Sequence, residues 1–270
     1  MVVVDRGSGS PIVLVPGLQG RHQWMVPTIE ALARHGRAIS YSLCGEPGTG
    51  CRLGADATFD VHVDQLDRVL DEARVERAAV CGVSFGGWVG VRYAARRPGR
   101  VSALVVASTP GPGFRPDARQ LRHIRAPWLL FPAFVVATRN RLRPEMLASL
   151  PDPRERWRFL RRQLAWMARA PVTPSLLARR IRLALAEDFV KDCAAVTAPT
   201  LVLTGEKGLD RVVPVESTRE YLRLIPGSIG AELPRTGHIG CVTRADEWAA
   251  RVWEFVDGVT APAAVAAARG

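Results

Sequence analysis

The 270 residues predict an α/β fold: a mostly parallel central sheet with crossover helices on both faces and one inserted helical segment. Three observations predict it. Short β-branched and apolar runs alternate with amphipathic stretches, the rhythm that parallel strands and their crossover helices impose. A strand-like run at 78–81 stops on Gly82-Val83-Ser84-Phe85-Gly86-Gly87 and turns helical. The strand rhythm is then lost from Gly111 to Cys193, so 111–193 reads as a helical cap inserted between core segments 1–110 and 194–258.

In chain order, residues 12–15 and 38–43 read as the first two strands. A helix follows, because Val63, Leu66, Leu70 and Ala73 fall at helical spacing on one face. After the strand at 78–81, the helix behind Ser84 is expected to run to about Arg97, where Pro98 cannot continue it. Strands are expected again at 101–107 and 200–203. Inside the insertion one helix start is well marked, with Asp152 as N-cap, Pro153 in the first turn and Glu155 three residues on, ahead of Trp157, Leu160, Leu164 and Met167. The run PWLLFPAFVVA at 127–137 is too short to span a bilayer, and packing on the sheet domain is expected for it rather than membrane contact. A strand at 229–233 and a helix capped by Thr243 and Asp246 bracket the last loop. The alanine-rich tail, 259–270, has no periodic apolar face and is expected to fray.

At 47% hydrophobic, the chain supports one sizeable core. No apolar run approaches the roughly 20 residues of a membrane span, so a soluble, cytoplasmic protein is expected. Cys44, Cys51, Cys81, Cys193 and Cys241 are an odd number without metal-ligand spacing. Neither a zinc site nor a disulfide framework is expected, and Cys81 fits as a small buried thiol. Net charge is +11, and between Arg115 and Arg182 sixteen arginines stand against four acids, a net +12. Such a field would attract anionic substrates or an anionic membrane surface; the plainer reading is a solvated arginine-rich face. No zinc finger, RNA-binding motif or aromatic-interleaved basic groove points to nucleic acid.

The chemistry centres on Ser84. A serine thrust forward on a tight strand-to-helix turn needs nearly side-chain-free neighbours, and Gly82, Gly86 and Gly87 meet that demand. A hydroxyl is a poor nucleophile until a base takes its proton. His35, His62 and His123 lie in helical or arginine-rich contexts where surface roles are expected, and His22 follows the first glycine-rich turn. His238, in the loop Pro234-Arg235-Thr236-Gly237-His238-Ile239-Gly240, is favoured over His22 as the base. A carboxylate must then fix the imidazole tautomer. Glu206 and Asp210 both follow the strand at 200–203; Asp210, just before a helix that Pro214 would open, is favoured. Backbone donors for an oxyanion are expected from Phe85 and from Leu18 in the turn Pro16-Gly17-Leu18-Gln19-Gly20. Gly17, Trp88, Trp128, Phe134, Val212 and Ile239 are expected around an apolar pocket, with Phe85 and Phe131 adding aromatic surface.

With these residues placed, the chain resembles the α/β-hydrolase family from about Val3 to Val256. Leu14-Val15-Pro16-Gly17 is similar to that family's oxyanion turn, Gly82 to Gly86 to its elbow, Leu209 to Pro214 to its acid loop and Gly237-His238 to its base loop. The order Ser84, Asp210, His238 is the order that family uses. Three features depart from its pattern. Pro16 stands where many relatives have histidine, the loop from Leu43 to Gly48 lacks the common aspartate, and the chain begins almost at the second strand, implying a shortened sheet edge. The resemblance implies an α/β-hydrolase fold and a serine hydrolase without cofactor or metal, cleaving a small apolar carboxylic ester. Lactone, thioester, amide or carbon–carbon bond hydrolysis, acyl transfer, a ligand-binding role and an interfacial lipase remain open alternatives, as does the oligomeric state.

Overall fold

Alternation along the strand Pro11–Val15 sends Ile12 and Leu14 to one face and Val13 and Val15 to the other, and all four are fully buried. A strand buried on both faces must lie inside the sheet with helices above and below. A computed structural model describes residues 3–267 and the side chains of 3–260. Its strands are β1 (Val3–Arg6), β2 (Pro11–Val15), β3 (Arg37–Tyr41), β4 (Ala78–Val83), β5 (Val101–Ala107), β6 (Thr200–Gly205) and β7 (Ile229–Leu233), in the order β1-β3-β2-β4-β5-β6-β7. Every neighbouring pair is parallel except β1 with β3. The antiparallel edge strand β1 was not among the expected strands; its polar half-exposed register, with Asp5 and Arg6 outward, hides the alternation that marks the others.

One face of the sheet is covered by α2 (Val61–Glu72), α3 (Phe85–Arg96) and α8 (Phe189–Ala195), the other by α1 (Val26–Ala33) and α12 (Ala245–Ala267). Between β5 and β6 come α4 (Ala118–Arg125), α5 (Phe131–Ser149), α6 (Pro153–Arg169), α7 (Pro174–Leu185) and then α8. The boundary expected at 193 falls inside α8, whose Phe189 and Cys193 belong to the sheet core. The short helices α9 (Val215–Arg219), α10 (Tyr221–Leu224) and α11 (Gly240–Thr243) complete the fold. Because β3 pairs on one side of β2 and β4 on the other, the chain reverses direction across the sheet between β2 and β4. Ligands of such sheets bind at the carboxyl ends of the strands flanking that reversal. The loops at that place are Pro16–Gly20 and the turn at Ser84.

Several expectations need correction. Cys44 and Cys51 form a disulfide, with Cα atoms 5.0 Å apart. An odd cysteine count argues only against a framework of paired cysteines; here the loop folds on itself through Gly45, Gly48 and Gly50, all at positive φ, and Gly45 N–H donates to Cys51 O at 3.0 Å. The residues at 128–136 do not pack on the sheet domain: Trp128 is 65% and Leu129 80% exposed. Asp152 does cap α6 by accepting the Arg154 amide, but Trp157, Leu160, Leu164 and Met167 face outward and Phe159 is the buried anchor. Thr243 is no N-cap; it ends α11 and its hydroxyl donates to Ile239 O. The helix α12 continues through 259–267, consistent with the high helix propensity of alanine, and the remaining tail residues 268–270 lie outside the described residues. Among the described residues, no helix is long and apolar enough to cross a membrane.

Candidate active site

The turn from β4 into α3 holds Ser84 at φ 55°, ψ −121°, a conformation that costs a non-glycine residue roughly 1–3 kcal/mol. The strain is carried by its surroundings. Ser84 N–H donates to Ala107 O at 2.8 Å and Gly87 N–H to Ser84 O at 2.9 Å. A Cβ at Gly82 would collide with the Gly86 carbonyl, and one at Gly86 with the Val15 carbonyl, so the glycines allow the turn to close against β2. Phe85 is the first residue of α3, so its amide is among the first-turn donors that have no acceptor within the helix. On the neighbouring loop, a Cβ built on Gly17 would lie 3.5 Å from Ser84 Cβ, which puts the expected oxyanion turn against the serine.

Past β6, the acid loop brings Asp210 to His238. The Asp210 carboxylate is 6% exposed; Oδ1 accepts the Val212 and Val213 amides at 3.0 and 2.8 Å, leaving Oδ2 3.3 Å from His238 Nδ1. With Nδ1 turned to Asp210, the other ring nitrogen is the one available to a reacting group. Burial alone would lower the His238 pKa, but the Asp210 charge and hydrogen bond, with the Glu145 charge, hold it above its ordinary value. His238 and Val83, the residue before the serine, line the same small cavity, together with Ala107, Ser108 and Gly237. Glu206, the rival acid, instead accepts the Arg235 amide and ties the base loop in place. His22 is turned to the Ser42 hydroxyl, 3.0 Å from Nδ1.

The expected pocket residues are scattered. Gly17 lies at the serine, and the Val212 and Ile239 amides bind Asp210 and Glu145. Trp88 is core instead: 2% exposed, stacked on Phe189 at 5.4 Å and edge-on to Phe85. Trp128 and Phe134 are 65% and 37% exposed. His62, expected at the surface, is fully buried edge-on to Phe85, and burial pushes its pKa down to about 3, so the ring is neutral.

Two cap residues that carry no sequence motif hold the site loops. Glu145 of α5 is fully buried, and both its carboxylate oxygens accept the Ile239 amide at 3.0 and 3.1 Å. Burial raises its pKa to about 7 against the opposing pull of the Ile239 and Gly237 amides and of His238. Arg180 of α7, also fully buried, donates to Leu18 O and Cys44 O, both at 3.1 Å, and to Glu46 Oε1 at 2.8 Å. It is therefore not part of a solvated face. Glu145 is one of only four acids among sixteen arginines, and that scarcity is the one sign of it in the sequence.

A mostly parallel sheet that reverses between β2 and β4 thus carries a strained serine after β4, with Asp210 after β6 paired to His238 after β7. The alpha/beta hydrolase family model matches residues 12–252, and the chain belongs to that family. It is 28% identical over 245 residues to the AB hydrolase superfamily protein YisY of Bacillus subtilis, covering 88% of each chain. Over 260 residues it is 26% identical to the 2-hydroxy-6-oxo-2,4-heptadienoate hydrolase of Pseudomonas putida, covering 87% of this chain and 84% of that one. Its backbone matches the enol-lactonase of Burkholderia xenovorans LB400 with a TM-score of 0.78 at 22% identity, over 94% and 95% of the two chains, a likeness of fold.

Proposed function

We propose that this hydrolase cleaves a small apolar carboxylic ester through an acyl-enzyme formed on Ser84. The observation that carries the reading is the Asp210 carboxylate, fixed by two amides on one oxygen and set against His238 Nδ1 by the other. Ser84 Oγ attacks the ester carbonyl while His238 Nε2 takes its proton, and the imidazolium formed is stabilised by Asp210. The oxyanion is met by the Leu18 and Phe85 amides. His238 then gives the proton to the departing alcohol. In the second half, His238 takes a proton from water, the hydroxide attacks the acyl carbon, and the acid leaves as Ser84 regains its proton.

The test is labelling with a fluorophosphonate, followed by turnover of an ester panel graded by acyl length. Label on Ser84 with ester turnover is expected. Label without turnover of any ester would move the substrate elsewhere on the same machinery. Because a relative at 26% identity is named as a 2-hydroxy-6-oxo-2,4-heptadienoate hydrolase, that substrate class is the second reading, and such a dienoate belongs in the panel beside a lactone.

A further inference from the structure

Ten of the twelve large hydrophobic side chains most exposed among the described residues lie between Trp128 and Met167, in the cap. Four of them, Trp157, Leu160, Leu164 and Met167, are on α6, at 62%, 38%, 57% and 38% exposure. At about 100° per residue they share an arc of about 80°, away from the buried Phe159 that anchors the helix. Arg154, Arg158, Arg161 and Arg162 occupy the adjoining arc of about 100°, and all four are exposed. With six arginines and one glutamate, α6 is a basic amphipathic helix whose apolar stripe has no covering element among the described residues. A second exposed apolar segment, Trp128, Leu129, Val135 and Val136, runs from the turn before α5 into that helix in the same insertion.

The charge says what covers this face. In the sheet domain ten of the described arginines are matched to acids, among them Arg92 with Asp60, Glu187 and Asp192, and Arg97 and Arg100 with Asp67. Of the sixteen cap arginines, Arg180 is the one with a carboxylate partner among the described residues. A second copy docked through α6 would set one such positive helix against another, which repulsion disfavours. Nucleic acid would match the arginines but would leave the tryptophan and aliphatic row unused. An anionic lipid bilayer satisfies both, with phosphates for the arginines and the headgroup–acyl boundary for the stripe. We infer that the cap is a peripheral docking surface for anionic membranes, with α6 lying in the bilayer interface. The expectation against membrane contact concerned 127–137 and rested on that run packing against the sheet domain; the exposure of Trp128 and Leu129 removes that ground.

The test is co-sedimentation of the full chain with vesicles of phosphatidylcholine alone and of phosphatidylcholine with one third phosphatidylglycerol. Binding is expected to the anionic vesicles, with little to the neutral ones. It should fall at high salt, because exposed charges are screened beyond about 3 Å at 1 M. The variant R158E/R161E should bind at least tenfold more weakly, since each basic group at an anionic surface is worth roughly fivefold. W157E/L164E should lose binding while keeping the wild-type circular dichroism and turnover of a soluble ester, as these residues are exposed and remote from Ser84 in the chain. Sedimentation velocity without lipid completes the set. Equal binding to both vesicle types, absent binding to either, or a concentration-dependent dimer abolished by W157E/L164E would overturn the proposal, the last by assigning the stripe to a second copy.

Discussion

Glu145 presses both carboxylate oxygens onto one amide of the base loop, and its charge reaches His238 and Asp210. Its effect is testable by pH. In the proposed mechanism His238 must be neutral to accept the serine proton, and its pKa lies above the ordinary value of 6.5, so kcat/KM should rise with pH through a limb above 6.5. Glu145→Gln keeps an acceptor for Ile239 but removes a negative charge beside the imidazole, and its acid limb should move to lower pH. An unmoved limb with unchanged kcat would reduce Glu145 to packing. Stability gives an independent readout. A carboxyl raised from 4.5 to about 7 by burial binds its proton more tightly folded than unfolded, so its contribution is fully present below 4.5 and lost as pH rises through 7. Relative to wild type, Glu145→Gln should therefore gain on the order of 3 kcal/mol between pH 4.5 and pH 8, read from denaturant melts at both ends. At the acid position, Asp210→Asn should cut turnover by roughly three to four orders of magnitude through loss of tautomer control, and Glu206→Gln by much less. The reverse ranking would move the role to Glu206.

At the scale of elements, the cap touches the sheet domain where the site loops are. Ser149 of α5 donates to Arg235 O and Glu145 accepts Ile239 N–H beside His238; Trp24 donates to Ala170 O and Arg180 donates to Leu18 O beside the turn at 16–20. The Arg180–Glu46 pair is almost completely buried, with Arg21 at 3.4 Å as the second partner of Glu46. Removing one member of a buried pair strands the other charge, so Arg180→Met should cost about 3–5 kcal/mol in urea unfolding. A loss under 1 kcal/mol would mean that Arg21 compensates fully. The loop Glu46 stands on is closed by Cys44–Cys51, seven residues apart. Replacing both by serine removes a short loop constraint worth about 2 kcal/mol, and reductant should lower wild-type stability by the same amount while leaving the double variant unchanged.

For the whole molecule, charge is divided between a sheet domain in which many arginines pair with acids and a cap in which every arginine but Arg180 lacks a carboxylate partner among the described residues. A neutral ester feels little of that field. Its kcat/KM should vary less than about twofold between low and high salt, whereas a carboxylate-bearing ester of equal size should lose a few-fold as screening shortens to about 3 Å. Parallel salt responses for the two esters would place the cap charge out of reach of the site.

What the sequence determined by itself was the part in which chemistry is written as local pattern. The periodicity of Val63, Leu66 and Leu70, the buried β-branched strands and the glycines around Ser84 are properties of neighbouring residues, and backbone sterics fix their meaning within a few positions. The approach of Asp210 to His238 was legible because each follows a strand end, and parallel neighbouring strands bring their ends together. Tertiary structure alone decided the rest. Glu145 and Arg180 lie 94 and 162 residues from the loops they hold, inside helices whose composition reads as solvated, so nothing nearby in sequence marks them. The same holds for the stripe on α6: its spacing reads as a core face, and it is exposed because no element among the described residues stands opposite it. Hydrophobic burial is non-directional, so a periodic apolar face specifies that something covers it, and tertiary packing decides what that is.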